Sequence, residues 1–148
     1  MTIDQIITAA IGSEYTVHNE PFAYAGRADL TLDGGDMRHW LYTADGDLLA
    51  VAPEDEEIIL FKLLEEEIEP QGDTVVYGGK EYEFNYEDSG VVSLVDGDAA
   101  EESEDRLTFS EYQSEDGERI RLVTSENRSE TSVYLGTTAV EEDILPIE

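Results

Sequence analysis

The sequence contains no cysteine, which excludes a disulfide framework, a thiolate metal site and a cysteine nucleophile. Basic residues are scarce: eight Lys and Arg stand against 37 Asp and Glu, and Lys62 and Lys80 are the only lysines. The resulting formal net charge of -29 repels phosphate backbones and anionic lipid surfaces, so direct nucleic-acid binding and membrane-surface docking are disfavoured. No segment approaches the roughly 20 apolar residues needed to span a bilayer. The opening MTIDQIITAAIG lacks the positive flank and long apolar run of a signal peptide, and Asp4 argues against one. Together these absences predict a soluble, cytoplasmic protein without membrane insertion.

Chemistry-bearing patterns are equally sparse. His18 and His39 are the only histidines, and neither sits in a His-Glu-x-x-His or similar zinc spacing. His39 precedes Trp40 in a strand, so it should face away from the indole, as a solvated or edge histidine. The triplets Asp45-Gly46-Asp47 and Asp96-Gly97-Asp98 lack the ligand spacing of an EF-hand loop and read as turn residues. Gly78-Gly79-Lys80 lacks the earlier Gly and the following Ser or Thr of a P-loop. No Gly-x-Ser-x-Gly elbow occurs. Asn127-Arg128-Ser129 matches a glycosylation sequon by chance. The aromatic set Trp40, Tyr42, Tyr82, Phe84 and Phe109 could line a groove, but its alternation with polar residues is what a core face requires. The reading leans away from an enzyme and assigns no catalytic, cofactor-binding or metal-ligating residue, and no cofactor.

What is present is a β-rich pattern. With 148 residues and 40% hydrophobic content, the chain suits one domain with a genuine core. One amphipathic helix is predicted over residues 2–11, from Ile3, Ile6, Ile7, Ala10 and Ile11, with Thr2 and Gln5 as a capping box and Gly12 as the stop. From Glu14 the period changes to two. Ala28, Leu30 and Leu32 alternate with Arg27, Asp29, Thr31 and Asp33, as in a half-buried antiparallel strand. The stretch Met37 to Val51 reads as a hairpin turning at Asp45-Gly46, with both faces of its first strand covered. Leu107 to Val123 echoes it, turning at Asp116-Gly117, with Ile120 and Leu122 inward and Arg119 and Arg121 outward. Residues 56–67 fit strand or helix, and the β-branched start favours a strand. Thr74 to Tyr86 is a hairpin around Gly78-Gly79, with Tyr82, Phe84 and Tyr86 on one face. Asp88-Ser89-Gly90 reads as a turn, Gly97 to Asp105 as a mobile acidic loop with nothing to bury, and Thr131 to Leu135 as a further strand.

These elements predict a mainly β domain of two pseudo-repeated antiparallel meanders, about 14–67 and about 74–147, packed as a sandwich or flattened barrel. The hairpin WLYTADGD, then YGGKEYEF, a Val-rich strand, FSEYQSEDGERIRL and VYLG resemble domain of unknown function 4178, a bacterial family. That resemblance covers most of the chain after the first helix. It implies a β-rich fold and no established activity, and the acidic insert at 97–105 departs from it. Two explanations of the acidity stand: general solubility, or attraction of a basic partner. The functional expectation is a non-catalytic binding or scaffold module for a basic protein or polycation. The alternatives are an enzyme or small-ligand carrier with a pocket between two sheets, and an acidic nucleic-acid mimic. Oligomeric state is not encoded in any of these patterns.

Overall fold

The computed structural model describes residues 1–147. Its helix, α1 (Ile3–Thr8), starts where the capping box places it: the Thr2 hydroxyl accepts from the Gln5 amide, and the Gln5 side chain accepts from the Thr2 amide. The helix ends before Ile11, because Ala9 is already extended and Gly12, at φ 101, serves the following turn.

Twelve strands follow. Three short ones, β1 (Glu14–Val17), β2 (Glu20–Ala23) and β12 (Ile144–Pro146), form an antiparallel sheet in the order β12-β1-β2. The others are β3 (Gly26–Leu32), β4 (Met37–Tyr42), β5 (Leu48–Ala52), β6 (Glu57–Leu64), β7 (Thr74–Tyr77), β8 (Lys80–Gly97), β9 (Arg106–Gln113), β10 (Arg119–Ser125) and β11 (Glu130–Ala139). They make one sheet in the order β3-β4-β5-β6-β11-β10-β9-β8-β7, and β3 also pairs with β8. Eight strands therefore close into an antiparallel barrel, with β7 added outside on the first part of β8. Of the two expected packings, sandwich or flattened barrel, the structure has the barrel, formed by a single sheet closed on itself. Residues 57–64 are a strand, as their β-branched start indicated.

The closing element is β8, 18 residues long. The expected turn at Asp88-Ser89-Gly90 is mid-strand. Gly90 is there for proximity: a Cβ would stand 2.6 Å from the Thr31 carbonyl oxygen of β3. Following paired residues from Gly97 through Gly26, Tyr42, Leu48, Phe61, Gly136, Arg119 and Gln113 leads back to β8 at Glu83, 14 residues away (97 less 83). Bulges between Asp29 and Leu30, and between Phe84 and Tyr86, take up part of that stagger. So large a stagger on eight strands tilts them strongly and gives a radius of about 9–10 Å, against about 7.5 Å at a stagger of eight.

Three apolar clusters result. The barrel interior holds Trp40, Tyr42, Leu48, Phe61, Phe109 and Tyr134, among others. A second cluster lies outside β4, β5 and β6, where α1 and the small sheet cover Leu41, Leu49, Val51, Ile58 and Leu60. This is why β5 is buried on both faces. A third lies outside β10, where Val75 and Tyr82 cover Ile120 and Leu122. The expected orientation of β10 is thereby reversed: Ile120 and Leu122 face outward under the β7–β8 hairpin, while Arg119 and Arg121 point into the barrel. Period-two alternation names two faces without saying which is inside, and β7 removes the cost of about 1.5–3 kcal/mol for exposing each aliphatic side chain.

The acidic segment also differs from expectation. It has something to bury: Ala99 packs against the interior cluster, and Glu101 and Asp105 are 4% and 0% exposed. Asp105 accepts hydrogen bonds from the Ser125 hydroxyl and the Asn127 amide.

Candidate functional site

Two polar features stand out against this frame: a charged chain inside the barrel, and an aromatic groove on its outside. They share one end of the barrel, where β6 and β10 begin and β9 ends.

Leu107, Phe109 and Glu111 alternate inward along β9, and Arg119, Arg121 and Val123 do so along β10. Glu111 is completely buried. It accepts from Arg121 at 2.8 Å and from Arg119 at 3.0 Å, and Arg119 reaches on to Glu57 at 3.1 Å. Arg121 also donates to the Tyr86 hydroxyl at 3.0 Å. Its guanidinium carbon lies 4.6 Å from the Phe61 ring centroid, 5.0 Å from Phe109 and 5.8 Å from Trp40, a cation–π enclosure. Burial works against the Arg119 charge, but Glu111 and Glu57 outweigh it, so its pKa rises. Burial pushes the Tyr86 phenol up to about 12, with Arg121 opposing. Two arginines and two glutamates balance in charge, although the Nε groups of Arg119 and Arg121 are buried without a partner among the described residues. It is a charged core.

The groove, about 710 Å³ in volume, runs beside the start of β8 and the β9–β10 turn. The bulge around Asn85 breaks the alternation that put Tyr82, Phe84 and Tyr86 on one face. Tyr82 packs in the outer cluster, Tyr86 reaches Arg121 inside, and Phe84 is left 44% exposed. The Phe84 ring stands edge-on to Tyr112, with centroids 5.7 Å apart. Around it lie Lys80, Glu81, Glu83, Glu115 and Asp116. Lys80 is held by Asp116 and Glu118, which raise its pKa. Lys80 and Ser114 together hold Asp116 down to about 2. Among the described residues, Glu81, Glu83 and Glu115 have no basic partner within salt-bridge distance.

The other residues singled out in the sequence are dispersed. Trp40, Tyr42 and Phe109 are interior residues. His39 does face away from Trp40, but it is not solvated. Its Nδ1 is 2.8 Å from Asp29, and Arg27 donates to the same carboxylate at 2.9 Å and to the Ile7 carbonyl of α1. The Asp29 carboxyl lies below the ordinary range: burial raises it, and the bonds from His39 and Arg27 outweigh burial. His18 sits in the left-handed β1–β2 turn, with Nε2 3.1 Å from the Thr138 carbonyl oxygen. Asp47 binds the Leu63 amide and Lys62 as a turn residue would. Among the described residues no three His, Cys, Asp or Glu side chains are grouped to hold a metal ion, and no helix is long and apolar enough to cross a membrane.

No family model, curated protein or solved structure matches the chain. The reading of function therefore rests on geometry alone.

Proposed function

We propose that the protein is a non-catalytic binding module that takes a basic side chain, of a partner protein or a polyamine, into the groove beside Phe84. Acidity alone does not single out this face. Exposed carboxylates occur from Asp4 on α1 to Glu142 before β12, and in most turns between. The observation that carries the reading is the exposed Phe84 ring, supported edge-on by Tyr112, in a groove also lined by Glu81, Glu83 and Glu115, which have no basic partner within salt-bridge distance among the described residues. An aliphatic stem ending in an ammonium or guanidinium group matches that combination: the ring attracts the cation, and the carboxylates complete its charge. The long-range field of a protein this acidic speeds encounter with any polycation.

Titration with spermidine and with an arginine-rich peptide, followed by amide chemical shifts, tests this. Shifts should centre on residues 81–85 and 113–116, with affinity falling at least tenfold between 50 and 200 mM salt and about tenfold in Phe84→Ala. Binding that is unaffected by Phe84→Ala, or shifts scattered over the whole surface, would leave the acidity as a solubility device.

A further inference from the structure

The opposite end of the barrel is closed differently. There β8 ends at Gly97 and β9 begins at Arg106, and the segment between them lies across the opening. Its feet are fastened to the barrel. The Asp98 amide donates to the Ala25 carbonyl at 2.9 Å, and the Glu104 amide donates to the Val92 carbonyl at 2.8 Å. Both feet turn through left-handed backbone, Gly97 at φ 65 and Glu104 at φ 68. Between them, among the described residues, the hydrogen bonds from the segment's middle to the rest of the fold come from one side chain. Arg128, in the β10–β11 turn, donates to the Ala100 carbonyl at 2.9 Å and to the Glu101 carboxylate at 3.1 Å.

Below the segment is an aromatic interior. Ala99 packs into it, and the charge of Glu101 acts on both Tyr42 and Tyr134. The Tyr42 hydroxyl and the Trp40 indole N–H, successive inward groups of β4, are buried without a hydrogen-bond partner among the described residues. Buried polar groups normally find partners. Tyr15 and Tyr24 have like orphans in the outer cluster, and Arg119 and Arg121 have them at Nε in the charged core, but these two share one inward wall of a wide barrel, and an occupant that carries an acceptor would satisfy them.

We propose that residues 98–104 are a displaceable plug latched by Arg128, and that lifting it admits a small, uncharged, mainly apolar ligand whose acceptor pairs with the Tyr42 hydroxyl. Eight-stranded barrels either fill with side chains or hold one small ligand, and this one is wide for its strand number. The plug's own Ala99 and Glu101 side chains occupy the mouth, so the closed form is autoinhibited. An uncharged ligand fits because a chain of this net charge repels anions, while a cation would be captured first by the surface carboxylates. This end is separate from the Phe84 groove, and the inference does not depend on the groove's role.

The probe is Nile red, a neutral apolar dye with a carbonyl acceptor, used on the whole chain with amide hydrogen exchange read in parallel. In Arg128→Ala, exchange at residues 98–104 should rise at least tenfold while β4 and β10 stay as protected as in the unaltered protein. Dye emission should increase several-fold and saturate at one site. Adding Tyr42→Phe should weaken that dye affinity about fivefold, as the net loss of one hydrogen bond implies. Should Arg128→Ala not fold, Arg128→Lys keeps the charge without the two-pronged contact and should open the plug part-way. Exchange that rises across the whole barrel, or not at all, would overturn the latch. An opened plug that takes up no dye, or uptake indifferent to Tyr42→Phe, would overturn the ligand.

Discussion

The two ends of the barrel are closed by opposite strategies. At the end where β10 begins, closure is by side chains projecting inward from the strands themselves: Arg119 between Glu57 and Glu111, with Arg121 behind. At the other end, closure is by a chain segment laid across the opening and tied at its middle by Arg128. Side chains on a hydrogen-bonded wall cannot leave without breaking strand pairing. A segment hinged at Gly97 and Glu104 can leave while every barrel strand stays paired. The difference separates a structural polar cluster from a movable one, although both are Arg–Glu pairs, and both are buried on the carboxylate side.

The largest effect expected from breaking this comparison is at Glu111. Glu111→Ala leaves Arg119 with Glu57 alone, and Arg121, 3% exposed, with no carboxylate. Removing one partner of a buried pair costs about 3–5 kcal/mol, so urea unfolding should show a loss of that size in a single cooperative transition. Replacing Glu111 with Leu together with Arg119→Met, Arg121→Met and Glu57→Gln should recover most of it, because no charge is then left uncompensated. Partial recovery without refilling the charges would place the cost in packing rather than electrostatics.

A smaller and local effect is expected at Glu101. Burial pushes its carboxyl above the ordinary glutamate range, Arg128 opposes, and Asp105 and Glu102 add to the rise. The groups facing it are thus Arg128 from the β10–β11 turn, Asp105 and Glu102 from its own segment, and Tyr42 and Tyr134 from β4 and β11. A carboxyl raised in the closed form binds its proton more tightly there than in the open form. Its contribution to closure is therefore complete below the ordinary glutamate pKa, and is lost as pH rises through the raised value. Exchange at residues 98–104, corrected for intrinsic rates, should speed up across that window. Glu101→Gln should abolish the dependence and hold the segment closed at neutral pH. A segment that instead loosens on acidification would mean that the Arg128 ion pair, not burial, governs it.

The sequence carried much of the fold and little of the site. Period-two runs located most strands, the Thr2–Gln5 capping box located the helix start, and the β-branched residues at 58–59 identified β6. Residues 37–51 are the hairpin that the alternation of Trp40 and Leu41 described, with both faces buried over Trp40 to Tyr42 and along β5, and Met37 to His39 half-buried. A barrel was one of two expected packings, but the strand that closes it was not legible, because Gly90 acts as a close-approach residue inside a long strand rather than as a turn. The orientation of β10 was not legible either, since Arg-Ile-Arg-Leu-Val offers apolar residues on both faces once β7 covers the outer one. One signal was available on β9: Leu107, Phe109 and Glu111 share a face, so an inward glutamate demanded an inward arginine from a neighbouring strand. The burial of Glu101 had no comparable sign. Its segment reads as uniformly acidic, and only the position of Arg128 in three dimensions distinguishes it from Glu102 and Glu104.

The smallest effect on stability is expected at Phe84, and it sharpens the contrast between closing the barrel and decorating it. The ring is 44% exposed and its main contact is the edge-on pair with Tyr112. An aromatic pair contributes about 0.5–1.5 kcal/mol beyond area burial, so Phe84→Ala should lower urea stability by about 1 kcal/mol and leave the interior network intact. A side chain that helped close the barrel would behave like Glu111 and lose several times more. Because Phe84 lies beyond the bulge that carries Tyr86 inward to Arg121, its removal should not alter the environment of Trp40, which intrinsic fluorescence reports. A red shift in Trp40 emission on Phe84→Ala would show that the bulge transmits groove occupancy to the interior, and that the outer groove and the charged core act as one unit.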